Sequence, residues 1–276
     1  MRNVYVLCAK LLVKVINKYI EIEGNKLAYV VFNSTVIKTM ICFHGFGQEA
    51  KDYDWFAKAH PEFRLIAIDL FFHGESTLST SSALTPLGWK SFFDILITNE
   101  QINHFSVTGY SMGGRFALTT FSLYPHLTDN IFLVAADGII TSKLFKTATS
   151  TALMRRIFKG MINSYPTFIQ LSTMLTKLGI INKGLQKFAT LHMKNSVERH
   201  RIFNSWTSFR ELKLSPTAIA RISEKHTIPV YIRLGTYDRV IPVSRIKPKL
   251  IKNKWLDYKT LEITHHKLFY YDFLNQ

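Results

Sequence analysis

The sequence predicts an α/β fold: a mostly parallel eight-stranded sheet with helices on both faces and a helical cap inserted between strands 6 and 7. Three observations predict it. Short apolar runs such as Thr39 to Phe43 and Asn130 to Ala136 alternate with longer segments of helical periodicity, the pattern of buried parallel strands joined by helices. A glycine-flanked turn, Gly109-Tyr110-Ser111-Met112-Gly113, stands between one such strand and one such helix. The interval Ile139 to His226 breaks the alternation with successive amphipathic helical patterns, and it is too long for a structureless loop in a compact domain.

In chain order, Tyr19 to Glu23 and Lys26 to Phe32 flank Gly24-Asn25, a two-residue hairpin signal. Thr39 to Phe43 reads as a buried strand, Tyr53 to His60 as a helix, Phe63 to Leu70 as a strand, and Thr85 to Thr98 as a long amphipathic helix. His104 to Thr108 forms the strand before Ser111, and the helix beginning around Arg115 ends near Pro125. Asn130 to Ala136 is another buried strand. Within the interval, Ala152 to Ile162, Thr167 to Leu178 and Val197 to Leu212 read as helices. Ser215-Pro216 reads as a cap followed by proline at the first helical position. The strand Pro229 to Gly235, a helix around Ser244 to Ile251, a strand near Trp255 to Ile263 and a final helix complete the chain. The expected organisation is a core of residues 1–138 and 227–276 with a cap of residues 139–226.

Composition narrows the function classes. Hydrophobic residues are 47% and charged ones 20%, which describes a globular chain rather than a disordered one. Net charge is +16, so anionic partners come into view: nucleic acid, membrane surface or acidic substrate. The interval 139–226 carries fifteen Lys and Arg against three acids, +12 of that charge. Its basic residues lie among apolar helical positions without a recognisable nucleic-acid motif, so no nucleic-acid partner is expected. Peripheral contact with an anionic membrane stays open beside an ordinary solvated helix surface. Two cysteines, Cys8 and Cys42, make a disulfide framework improbable and suit a reducing compartment. No apolar run is long enough to span a membrane. Met1 to Ile16 is interrupted by Lys10 and Lys14 and lacks the continuous apolar stretch of a signal peptide. The expected location is cytoplasmic.

Ser111 is the candidate nucleophile. A tight turn between strand and helix lifts its hydroxyl clear of the sheet, provided Gly109 and Gly113 let the flanking chain pass closely. A serine hydroxyl needs an imidazole to take its proton, and that imidazole needs a carboxylate to orient it. Asp238 lies in the loop beyond a buried strand, where sites form in open parallel sheets; an ordinary turn aspartate would occupy the same setting. His266 is the preferred base because the helix-starting run Lys267-Leu268-Phe269 follows it, and His265 is its alternative. Two backbone amides, of Phe46 in His44-Gly45-Phe46-Gly47 and of Met112, are the candidate oxyanion donors. His73 and Gly74, within Asp69 to Ser76, read as loop-shaping rather than catalytic. No spaced His/Asp/Glu set suggests a metal site, and no cofactor or metal is expected.

These segments together resemble the α/β-hydrolase-fold serine hydrolases, in the branch with a helical cap between strands 6 and 7. The likeness runs from about Tyr19 to the end and rests on His44 to Gly47, Asp69 to Ser76, Gly109 to Gly114, Gly235 to Pro242 and His265-His266. One departure is that the glycine usual before the catalytic histidine is His265 here. The resemblance implies a Ser111–His266–Asp238 triad cleaving a carboxylic ester of small to medium, fairly apolar acyl group through an acyl-enzyme. It also leaves a lysophospholipase or lipase acting at anionic membranes, a thioesterase or C–C hydrolase, and a non-catalytic binding protein of the same fold. Oligomeric state is not legible. Of the cap's apolar residues Phe145, Met154, Phe158, Met161, Phe168, Leu171, Met174 and Leu175, most are expected to pack and a few to line an acyl pocket.

Overall fold

A computed structural model of the chain describes residues 15–79, 83–179, 181, 183, 186–187, 190, 195–251 and 254–275. The reading of residues 1–14, Cys8 included, lies outside the described residues. Eight strands form one sheet: β1 (Val15–Ile22), β2 (Asn25–Phe32), β3 (Thr39–Phe43), β4 (Arg64–Ile68), β5 (Phe105–Tyr110), β6 (Thr128–Val134), β7 (Val230–Gly235) and β8 (Leu256–Leu261). Their spatial order is β1-β2-β4-β3-β5-β6-β7-β8. The pairs β1–β2 and β2–β4 are antiparallel, and every pair from β3–β4 to β7–β8 is parallel. Burial explains the sequence pattern. All five residues of β3 and all six of β5 are buried, because helices cover both faces of the central strands. β1, at the edge, alternates exposed residues with partly buried ones and the buried Ile20.

The hairpin turn sits one residue earlier than Gly24-Asn25. Ile22 pairs with Asn25, so the turn residues are Glu23 and Gly24, with φ of 51° and 76°. Two successive positive φ values suit the right-handed twist of a two-residue hairpin.

The core-side helices are α1 (Asp54–Ala59), α2 (Pro86–Asn99) and α3 (Gly113–Leu123). Thr85 caps α2 by accepting from the Gly88 amide at 3.0 Å, and Pro86 follows it at the first helical position. Trp89 on α2 is fully buried; its indole N–H donates to Thr120 Oγ1 on α3 at 2.9 Å. Its ring meets the edges of Phe43 at 5.7 Å and Phe116 at 5.0 Å. This layer underpins β3, the strand before the His44 to Gly47 loop, and the helix that follows Ser111.

Between β6 and β7 the described residues hold α4 (Lys143–Ser150), α5 (Ala152–Asn163), α6 (Tyr165–Lys177), α7 (Ser196–Ser208) and α8 (Pro216–His226). Ser142, Thr151, Asn195 and Ser215 cap α4, α5, α7 and α8 with side-chain oxygens. Helices α5, α6 and α7 bury a small cluster of their own, Phe158, Ile162, Phe168 and Ile202, with Phe46 packed against it from the core side. Phe209, Leu212 and Ile219 instead join the main core. Of the cap positions expected to pack, Phe145, Phe158 and Phe168 are buried, Met154, Met161, Leu171 and Leu175 are half-buried, and Met174 is exposed. After β7 come α9 (Val243–Ile246) and, following β8, α10 (His265–Leu268). The described residues include no helix long and apolar enough to cross a membrane.

Candidate active site

β5 delivers Ser111 and α3 leaves it within two residues. Ser111 has φ of 50°, a left-handed conformation that a non-glycine residue adopts at a cost. Three backbone bonds impose it: the Ser111 amide donates to the Val134 carbonyl at 3.0 Å, and its carbonyl accepts from Gly114 at 2.9 Å and Asp137 at 2.8 Å. The turn is also too tight for side chains beside it. A Cβ on Gly113 would lie 2.1 Å from the Phe43 carbonyl oxygen, and one on Gly109 2.7 Å from the Ala117 Cβ.

Asp238 follows β7 and its side chain is fully buried. One carboxylate oxygen, Oδ1, accepts from the amides of Val240 and Ile241, each at 2.8 Å. The other, Oδ2, is 2.7 Å from His265 Nδ1. The opposite ring nitrogen, Nε2, is 3.0 Å from Ser111 Oγ. The carboxylate draws the imidazole proton to Nδ1, so Nε2 is the lone pair that faces the serine hydroxyl.

The preference for His266 is therefore corrected: His265 is the histidine between Ser111 and Asp238. α10 begins at His265, with Thr264 extended before it. Successive helical residues point about 100° apart, so His266 faces away and is exposed. Thr264 has φ of −84°, a conformation that requires no glycine before the histidine. Ser111 and Asp238 lie on opposite sides of the His265 ring.

The oxyanion candidates lie on two backbones in contact. Gly113, next after Met112, packs on the Phe43 carbonyl, and its hypothetical Cβ would also come within 2.7 Å of the His44 carbonyl oxygen. The His44 to Gly47 loop is shaped by two bonds: Gly45 N–H to Gln48 Oε1 at 2.9 Å and Gln48 N–H to the Gly45 carbonyl at 3.3 Å. The His44 ring is buried and spans two strand ends, its Nε2 accepting from Leu70 N–H at 3.0 Å and its Nδ1 lying 2.7 Å from the Gly45 carbonyl. That pairing fixes a neutral ring protonated at Nδ1, and burial pushes its pKa below the ordinary histidine value. His73 stacks edge-on to His44 and Phe46 at 5.4 and 5.2 Å. Burial, then the neighbouring His44, pushes its pKa down to about 3. Its Nε2 has no hydrogen-bond partner among the described residues. Asp69 bonds the amides of Ala50 at 2.7 Å and Glu75 at 3.1 Å. A Cβ on Gly74 would meet the Asp69 carboxyl at 2.2 Å, so Asp69 to Ser76 shapes the loop.

A family model described as the alpha/beta hydrolase fold matches residues 38–266. The chain belongs to that family. This α/β-hydrolase is similar to an uncharacterized hydrolase, YugF, of Bacillus subtilis, at 23% identity, covering 80% of this chain and 81% of the relative. Among solved structures it is similar to a hydrolase from Pseudomonas aeruginosa PA01, with a TM-score of 0.62, 18% identity and 90% and 91% of the two chains covered. It is also similar to a bacterial membrane phospholipase A, with a TM-score of 0.59, 17% identity and 91% and 79% covered. At that identity the structural likenesses speak for the fold. The family match and the hydrolase relative support a hydrolase.

Two residues of the α/β-hydrolase site escaped sequence reasoning. The Tyr110 hydroxyl donates to the His265 carbonyl at 2.9 Å, and its ring lies 5.3 Å from the imidazole, so the residue before the serine also holds the histidine. Its phenol is buried, which raises its pKa. Arg115, 1% exposed, bonds Asp137 Oδ2 at 2.6 Å and the carbonyls of Phe209 and Leu212 at 3.3 and 3.0 Å. Its guanidinium lies over the Phe145 ring at 4.2 Å. The only sequence signal for either was its place beside the turn at Ser111.

Proposed function

We propose that this α/β-hydrolase cleaves carboxylic esters through Ser111, with His265 as general base and Asp238 orienting it. The observation that carries the reading is the continuous chain of contacts from Asp238 Oδ2 to His265 Nδ1 at 2.7 Å and from His265 Nε2 to Ser111 Oγ at 3.0 Å. Ser111 Oγ attacks the ester carbonyl as His265 Nε2 takes its proton. The buried carboxylate stabilises the imidazolium that forms. The amides of Phe46 and Met112 receive the developing oxyanion. The imidazolium then gives its proton to the departing alkoxide, leaving an acyl-enzyme. Water, deprotonated by His265, attacks that ester, and Ser111 regains its proton as the acid leaves. The proposed substrate is a small to medium ester with a fairly apolar acyl group, because the cap places Phe158, Phe168 and Ile202 against Phe46 on the oxyanion loop.

A panel of p-nitrophenyl esters of increasing acyl length tests this. The expected result is turnover that rises to a medium chain and then falls, with kcat lowered about 10⁴-fold or more by Ser111→Ala. No ester turned over faster than by the Ser111→Ala protein would contradict it. A second reading, a lysophospholipase or lipase working at a membrane, is favoured by the exposed apolar residues Leu153, Met174 and Leu178 on a basic cap. The likeness to a membrane phospholipase A points the same way. Lysophospholipid would then be a better substrate than any soluble ester.

A further inference from the structure

We propose that the outward surface of cap helices α5 and α6 docks this protein on anionic phospholipid bilayers. Residues 138–197 contain nine Lys and Arg and no Asp or Glu. The segment is therefore uniformly positive over most of the cap.

On α5, at about 100° per residue, an apolar sector runs from Leu153 through Ile157, Met161, Met154 and Phe158 to Ile162. Only one end of it is covered: Phe158 and Ile162 are buried in the cap cluster, while Leu153 and Ile157 are 63% and 47% exposed. Arg156 and Lys159 are exposed on the same helix. α6 repeats the arrangement. Phe168 and Ser172 face inward, Met174 and Leu178 are 50% and 64% exposed one turn apart, and exposed Lys177 lies between them in sequence. Large aliphatic side chains beside lysine and arginine are the composition of a helix that lies in the headgroup boundary.

Charge selects the occupant. A second copy pairing through the same face would set this acid-free surface against itself. Single-stranded nucleic acid would call for aromatic residues to stack bases and a duplex for basic residues alone, whereas the exposed apolar side chains here are Leu, Ile and Met. An anionic bilayer satisfies both features, attracting the basic residues and taking up the aliphatic ones. Phe46 packs against the cluster beneath these helices, so the docked cap would sit over the oxyanion loop.

The surface does not depend on the catalytic reading, so the test uses the full chain carrying Ser111→Ala and reads binding alone. Co-sedimentation is measured with vesicles of phosphatidylcholine and of phosphatidylcholine mixed with phosphatidylglycerol, at low and high salt. The expected result is binding to the mixed vesicles only, weakened at least about tenfold by high salt. Arg156→Glu with Lys159→Glu should weaken it at least about 20-fold. Leu153→Gln with Ile157→Gln should weaken it about tenfold and leave the salt dependence unchanged. Any one of three results would overturn the proposal: no binding at low salt, equal binding to neutral vesicles, or wild-type binding by either double variant. So would a dimer in light scattering that Leu153→Gln with Ile157→Gln dissolves while vesicles are ignored. The salt comparison needs no cap variant, so it decides the matter even if one folds poorly.

Discussion

Asp238 is tied at both carboxylate oxygens, one to two backbone amides and the other to His265. Asp238→Asn keeps the volume but places an amide N–H₂ where acceptors are needed, which favours the wrong tautomer of His265. The expected result is a fall in kcat of about 10³ to 10⁴-fold with KM little changed, read from ester turnover. Tyr110→Phe removes one neutral hydrogen bond to the His265 carbonyl, for which a net contribution of about 1 kcal/mol is ordinary. A drop in kcat/KM of roughly fivefold is expected. An Asn variant as active as wild type would remove Asp238 from the proposed mechanism.

At the scale of elements, the turn at Ser111 depends on what cannot stand beside it. Gly113→Ala would drive a methyl group into the Phe43 carbonyl at 2.1 Å, and the nearest atoms are all backbone of Phe43 and His44, which cannot turn aside as a side chain could. A loss of about 3 kcal/mol of stability or more is expected from thermal melting. Arg115→Met should also cost about 3 kcal/mol, since it leaves Asp137 and two carbonyls without their guanidinium. Elements of this kind were unevenly legible. β3 is legible to the residue because the short run Thr39 to Phe43 ends in a glycine-bearing loop. The boundaries of α10 are not, because a four-residue helix carries too little periodicity to show which histidine begins it. Ser111 and Asp238 each stand at a strand end with its own turn, a setting that local pattern shows, whereas His265 and His266 differ by one residue in a helix too short to tell them apart. Tyr110's bond to a carbonyl 155 residues away and Arg115's reach to Phe209 and Leu212 are contacts between distant segments. Local pattern carries no record of them.

Over the whole molecule, two buried neutral histidines, His44 directly after β3 and His73 packed against it, make stability depend on pH. His44 and His73 both have folded pKa values below the ordinary one. The unfolded chain therefore binds more protons as pH falls below about 6.5. Their contribution is complete above that value and is lost progressively as pH falls toward about 3, the folded value for His73. Each can contribute a slope of up to about 1.4 kcal/mol per pH unit. Tm is expected to fall between pH 6.5 and pH 5, a window above the ordinary carboxylate range, and His73→Asn should flatten that fall. A Tm unchanged across the window would contradict this assignment.

In the proposed mechanism Ser111 is a nucleophile activated by His265 and not by the residue after it. Labelling with a fluorophosphonate probe reads this activation at the serine itself, comparing wild type with Ser111→Ala, His265→Ala and His266→Ala. Wild type and His266→Ala should label at similar rates, while Ser111→Ala and His265→Ala should not label. A wild type that fails to react, or a His265→Ala protein that labels while His266→Ala does not, would contradict it.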